Sequence, residues 1–206
     1  MLADAELTLR DLVVDDYPAA RRMLTAAFAG EPFAFGMFGA SPLARFAGMA
    51  EVYSTWPSTR NGVIVGAEVG GSLVGVALAT LPGDCVLCDQ FAAGAEPGTS
   101  TAQRVEHELQ LRCRDAHLTQ ALPPHAHITA VASEPFLNGL GVGRRVVTGL
   151  VERLWSLGVP CTVLECLTTR EQFYERCGLR RVADFPDPGG PELRSVLMRI
   201  DAPGSH

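Results

Sequence analysis

Residues 125–157 read HAHITAVASEPFLNGLGVGRRVVTGLVERLWSL. The apolar, β-branched run from Ile128 to Val131 predicts a strand. Pro135 and three glycines at alternate positions, Gly139, Gly141 and Gly143, predict a loop. Val142, Val146, Val147, Leu150, Val151, Leu154 and Leu157 fall on one broad face at helical spacing, with Gly158 placed to end the helix. A strand feeding a glycine loop and then a helix presents successive backbone N–H groups at the positive end of the helix. Without Cβ atoms in the way, those groups can face one anion. The expected ligand is a phosphate or pyrophosphate.

Three motifs share that outline. The P-loop requires a Lys after its glycines, and this chain contains no Lys at all. A dinucleotide fingerprint belongs near the start of a long alternating chain, whereas this loop comes two-thirds of the way along 206 residues. There remains the [Q/R]-x-x-G-x-[G/A] pattern of acetyl-CoA binding, met here as Asn138-Gly139-Leu140-Gly141-Val142-Gly143. At these residues the chain resembles the GNAT superfamily of N-acetyltransferases. About thirty residues further on, Phe173-Tyr174-Glu175-Arg176-Cys177-Gly178-Leu179 resembles the family's F-Y-x-x-x-G-[FL] segment and follows a strand at Thr162 to Glu165. Within the family the segment is similar to that of puromycin-type and other antibiotic acetyltransferases. The likeness extends over residues 6–200 and is sharpest over 125–185.

The resemblance implies an α/β (α+β) fold: a single domain over residues 1–206, whose mixed central sheet is splayed at the acetyl-CoA site and has helices on both faces. Residues 203–206 are expected to be a tail or remnant. It implies acetyl-CoA as co-substrate and direct transfer to a small amine, such as an antibiotic or an amine-bearing metabolite. The pyrophosphate is expected on the loop Asn138, Gly139, Leu140, Gly141, Val142, Gly143 and Arg144, through the N–H groups of Leu140 to Arg144 with Arg144 or Arg145 assisting. Asn138 and Leu140 depart from the residues usual there. A backbone N–H among Val131, Ala132 and Ser133 is the expected donor to the tetrahedral oxyanion. The pantetheine arm is expected to pair like an added strand between Ile128–Ser133 and Thr162–Glu165.

Tyr174 matches the tyrosine that donates a proton to the departing coenzyme A thiolate and contacts the coenzyme. Arg170 stands where the family often has Asn. For the base, His125 and His127 share a strand face and resemble the paired histidines of arylalkylamine acetyltransferases. His127 is the nearer of the two to the oxyanion position. Glu165 and water are its rivals, with Glu134 and Asp89 in reserve. Phe33, Phe35 and Phe38, with Met37, are candidates for an apolar acceptor wall or for ordinary core. Two other readings stay open: a protein or peptide N-acetyltransferase, and an acyl-CoA-binding sensor without turnover.

Composition bounds these readings. A net charge of −6 argues against general nucleic-acid binding. No apolar run approaches the ~20 residues that span a bilayer. The start lacks a secretory pattern, so a cytoplasmic protein with no membrane partner is expected. A homodimer is one of the assemblies allowed. All 17 basic residues are Arg, a composition that suggests a high-GC bacterial source. Cys85-x-x-Cys88 with Cys113 and His117 is weighed as zinc ligation, but the spacing and apolar setting favour ordinary buried thiols and no metal.

Elsewhere the pattern predicts a strand over 7–10, a helix capped at Asp15 or Asp16, and no regular structure over 31–39. It then predicts a helix over 43–55 and a hairpin of 63–69 with 73–80 through Gly70-Gly71-Ser72. A helix after Ser100 or Thr101, a helix over 171–177, strands over 179–183 and 193–200, and a turn at 187–191 complete the expectation.

Overall fold

A computed structural model describes residues 7–57, 62–83, 124–185 and 194–204. In chain order it has β1 (Leu7–Asp11), α1 (Tyr17–Phe28), α2 (Pro32–Phe38), α3 (Pro42–Val52), β2 (Gly62–Val69) and β3 (Ser72–Thr80). These are followed by β4 (Ala126–Ser133), α4 (Val142–Ser156), β5 (Cys161–Leu167), α5 (Glu171–Glu175), β6 (Arg180–Phe185) and β7 (Ser195–Asp201). The strands form one mixed sheet in the order β1-β2-β3-β4-β5-β7-β6. The chain is an α/β domain with five α-helices among the described residues. It comprises two compact units, Met1–Ala79 with Thr129–Glu152 and Thr80–Ile128 with Arg153–His206. Both β4 and α4 begin in one unit and finish in the other.

In the first unit β1 pairs antiparallel with β2 from Leu7↔Val69 to Asp11↔Val65. The β2–β3 hairpin turns on Gly70 and Gly71 at φ of 56° and 78°. Two consecutive positive φ values are what a right-twisted two-residue hairpin requires. Ala20, Met23 and Leu24 of α1 pack with Leu12, Trp56, Ile64, Val76, Leu78, Ala130 and Ala132 into this unit's core. On α4, Val142, Val146, Val147, Leu150, Val151 and Leu154 are all buried, as their spacing predicts. Leu157 is 48% exposed instead, because the helix has already stopped at Ser156. There Gly158 donates to the Trp155 carbonyl and Val159 to that of Leu154, a Schellman closure.

In the second unit β5 pairs antiparallel with β7 along its full length, from Cys161↔Asp201 to Leu167↔Ser195. β6 adds antiparallel to β7 with a shift in register between Arg181 and Ala183. The parallel ladder with β4 consists of Ala126↔Thr162 and His127↔Val163. Cys161, Val163 and Leu197 form a core cluster packed by Val182 and Ala183.

Two expectations change at the N-terminal end. Residues 32–38 are helical, with Pro32 at the first position, where its missing N–H costs nothing. Asp16 stands at the N-cap of α1, but its side chain makes no capping hydrogen bond; its carboxylate accepts instead from the Val13 N–H and from Arg10. The zinc candidates Cys85, Cys88, Cys113 and His117, the helix after Ser100, Asp89 and the turn at 187–191 lie outside the described residues. Among the described residues no cluster of His, Cys, Asp or Glu could hold a metal ion, and no helix is long and apolar enough to cross a membrane.

Candidate active site

In the first unit, β4 leads through a 3-10 turn (Pro135–Leu137) into the glycine loop. Asn138 donates its N–H to the Pro135 carbonyl and Leu140 donates to that of Leu137, both at 3.1 Å. Gly139 and Gly141 have φ of 80° and 89°, the left-handed region where other residues are strained. A Cβ built at either would meet nothing within 4 Å. The glycines are therefore required by the path of the backbone, while the space beside them is open. The Gly141 carbonyl accepts the first helical bond, from Arg145 at 3.0 Å.

Helix geometry leaves the N–H groups of Val142, Gly143 and Arg144 with no carbonyl one turn back, at the positive end of a 15-residue helix. Asn138, Gly139, Leu140, Gly141, Arg144 and Arg145 are exposed, Gly143 is half-buried and Val142 is buried. The expectation for Leu140 differs in one respect, since its N–H closes the turn to Leu137. Upstream, Val131 and Ser133 are half-buried and Ala132 buried, and the Glu134 N–H is held by the Val74 carbonyl at 2.9 Å.

In the second unit the structure brings together two residues that the sequence offers as rivals. His127 Nε2 lies 2.6 Å from Glu165 Oε2, with side-chain exposures of 6% and 14%. The short β4–β5 ladder sets this up. With His127 opposite Val163, Glu165 is the next residue of β5 on the same face, one side-chain length away. His125, at the mouth of the strand, is half-buried. The sequence carries no signal for the pair beyond an odd-numbered position on each of two strands, because their contact depends on register.

Tyr174 sits in α5, half-buried, with its ring edge-on to Phe173 at 4.9 Å between centroids. The helix closes like α4 does: Gly178 (φ 93°) donates to the Glu175 carbonyl, and buried Leu179 donates to that of Tyr174. This explains the spacing of the Tyr-x-x-x-Gly-Leu segment, since the Schellman closure fixes where the glycine and the apolar residue must stand relative to the tyrosine. Arg170 is exposed and precedes the first residue of α5.

Of the acceptor-wall candidates, Phe33 and Phe38 are half-buried and Phe35 is 47% exposed. Phe38 occupies the space over Gly48 of α3, where an added Cβ would strike its ring. Phe35 lies under the guanidinium of Arg45, 3.7 Å from the ring centroid. Arg45 is a residue that sequence reading missed. It is 8% exposed, and it donates to the carbonyls of Ala29 (2.9 Å), Ala40 (2.5 Å) and Gly39, tying the ends of α1 and α2 to α3.

Two of the described thiols, Cys161 and Cys166, are poor nucleophiles. Burial pushes Cys161 up to about 11, and burial followed by Glu171 and Glu165 pushes Cys166 up to about 12, so both are neutral near pH 7.

Residues 9–179 match the Acetyltransferase (GNAT) family. No curated protein matches the chain. Among solved structures, a Drosophila melanogaster polyamine N-acetyltransferase that forms N-acetylagmatine is similar, with a TM-score of 0.69 and 16% identity over 96% of this chain and 100% of that one. A mosquito arylalkylamine N-acetyltransferase-like protein gives 0.64 and 17% over 95% and 100%. A Corynebacterium glutamicum protein described as histone acetyltransferase HPA2 and related acetyltransferase gives 0.66 and 20% over 98% and 99%. At these identities the likeness is one of fold.

Proposed function

Because this chain belongs to the GNAT acetyltransferase family, we propose that it transfers the acetyl group of acetyl-CoA directly to a small amine, an antibiotic or an amine-bearing metabolite. The observation that carries this reading is the loop entering α4. Two left-handed glycines with open space beside them precede three N–H groups without helical acceptors and two exposed arginines. That combination suits the pyrophosphate of a coenzyme. The donor nitrogens are those of Val142, Gly143 and Arg144, with Arg144 and Arg145 supplying charge. The similar fold of a polyamine N-acetyltransferase that forms N-acetylagmatine supports an amine as acceptor.

In this reading the whole chain is one cytoplasmic acetyltransferase domain. A backbone N–H among Val131, Ala132 and Ser133 donates to the oxyanion, and Tyr174 returns a proton to the departing thiolate. His127 takes the proton that an acceptor ammonium must lose before its lone pair can attack. The pantetheine arm pairs with strand backbone like an added strand. Phe33 and Phe35 of α2 serve the acceptor wall better than Phe38, which is occupied by α3.

Two measurements test the proposal. Thiol release from acetyl-CoA, followed across amines, aminoglycosides and peptides, is expected only with small amines. Calorimetric titration of acetyl-CoA into Gly141→Asp is expected to show affinity weakened at least about 100-fold, since the variant adds both left-handed strain and a negative charge facing phosphate. Unchanged affinity would remove the phosphate cradle from the reading.

A further inference from the structure

We infer that Glu165 is a positioning residue that acts through His127, and that the histidine, not the carboxylate, accepts the acceptor's proton. This deepens the amine-acetyltransferase reading and rests on it.

A 2.6 Å approach between a ring nitrogen and a carboxylate oxygen is a short hydrogen bond, at the lower edge of the charge-assisted kind. Backbone pairing holds both ends. Ala126↔Thr162 and His127↔Val163 fix β4 against the start of β5, and β7 grips β5 from Cys161 to Leu167. At 6% and 14% exposure water screens the contact little. A carboxylate so placed keeps the proton on the nitrogen it faces, which fixes the ring's tautomer and orientation, and it stabilises the imidazolium once a second proton arrives.

The reverse assignment is chemically weaker. A carboxylate (~4.3) has far less proton affinity than an imidazole (~6.5), so it is the poorer acceptor from an ammonium near neutral pH.

The groups around the pair are consistent with this division of roles. On β5, Cys166 is a neutral thiol that senses Glu165 and Glu171. On β7, apolar Leu197 stands opposite Glu165, while Arg199 stands opposite Val163 and is bound to Asp201 at 2.6 Å. Just before β4, half-buried His125 stands two residues ahead of His127. In the step itself one proton passes from the ammonium nitrogen to the ring. An imidazolium–carboxylate pair results, and the freed lone pair is available for attack on the thioester carbonyl.

The test uses the full chain and three proteins: wild type, Glu165→Gln and His127→Gln. The imidazole titration of His127, followed by NMR without substrate, is expected to move to lower pH by about one unit in Glu165→Gln, a tenfold loss of proton affinity. With any amine that supports turnover, the acidic limb of kcat/KM should move down by the same amount in Glu165→Gln. At pH 8 that variant should retain at least about a tenth of kcat, whereas His127→Gln should lose about 100-fold together with the limb. An unmoved His127 titration would overturn the pairing, whether or not an acceptor is known. Equal losses in the two variants would make Glu165 the base and overturn the assignment. A shifted titration with no amine acetylated would leave the pair standing and remove the amine reading instead.

Discussion

Arg10 in the first unit and His127 in the second are held by carboxylates at nearly the same distance. Arg10 reaches Asp16 at 2.7 Å and Glu68 at 2.6 Å, and His127 reaches Glu165 at 2.6 Å. Their surroundings differ. The Arg10 side chain is 37% exposed and cannot change charge near neutral pH, so its carboxylates fasten β1 to β2 and to the turn before α1. His127 is 6% exposed, and its imidazole, unlike a guanidinium, belongs to the side-chain type that can change charge between about pH 5 and 8. Contacts of nearly equal length thus differ in kind: the exposed, permanently charged guanidinium fastens backbone, whereas the buried contact includes an imidazole, a group that can gain or lose a proton. Arg45, buried among three carbonyls, belongs with Arg10 in this division despite its burial.

The comparison can be broken from either side. The largest effect is expected at Arg45→Ala, which leaves the carbonyls of Ala29 and Ala40 without their donor at two helix ends. A loss of about 3 kcal/mol in denaturant unfolding should follow, with acetyl-CoA affinity of the folded protein unchanged. A loss below about 1 kcal/mol would mean that Arg45 is no strut. Next in size is Tyr174→Phe, expected to lower kcat about tenfold with little change in the acetyl-CoA KM and in melting temperature. The proton is needed only as the thiolate leaves. An intact kcat would move the acid role elsewhere.

The smallest effect is that of Asp16→Asn, about 1 kcal/mol of stability at pH 7 given the exposure of its partner. The hydrogen bond from Arg10 holds the Asp16 carboxyl down to about 2, below its ordinary value near 4. A depressed carboxyl contributes fully above the unfolded value, and its contribution disappears as pH falls through about 2. Wild type and Asp16→Asn should therefore differ in melting temperature at pH 6 and converge near pH 2. A difference that persisted at pH 2 would assign the effect to something other than this ion pair.

What the sequence discloses follows how local each feature is. The glycine loop, the buried face of α4, the Gly70-Gly71 hairpin and the Tyr174 segment are each set by residues within a few positions of one another, and all are legible. α2 is less so, because a Phe- and Gly-rich run has weak helical preference and is helical through Pro32 at its start and α3 beside it. The 38-residue separation between His127 and Glu165 is closed only by strand register, which no local pattern encodes. Arg45 was hidden for the same reason, since its acceptors are 5 to 16 residues away at the ends of other helices.

The closure after α5 also bears on how this segment can evolve. Leu179 binds the carbonyl of Tyr174 directly, and Glu175 and Arg176 between them project outward, exposed. Their identity has little bearing on where the phenol points, so the stretch can drift in sequence. Its length is another matter. One residue gained or lost between Tyr174 and Gly178 would turn the tyrosine about 100° around the helix axis. Natural variation here should therefore accumulate as replacements and almost never as insertions or deletions.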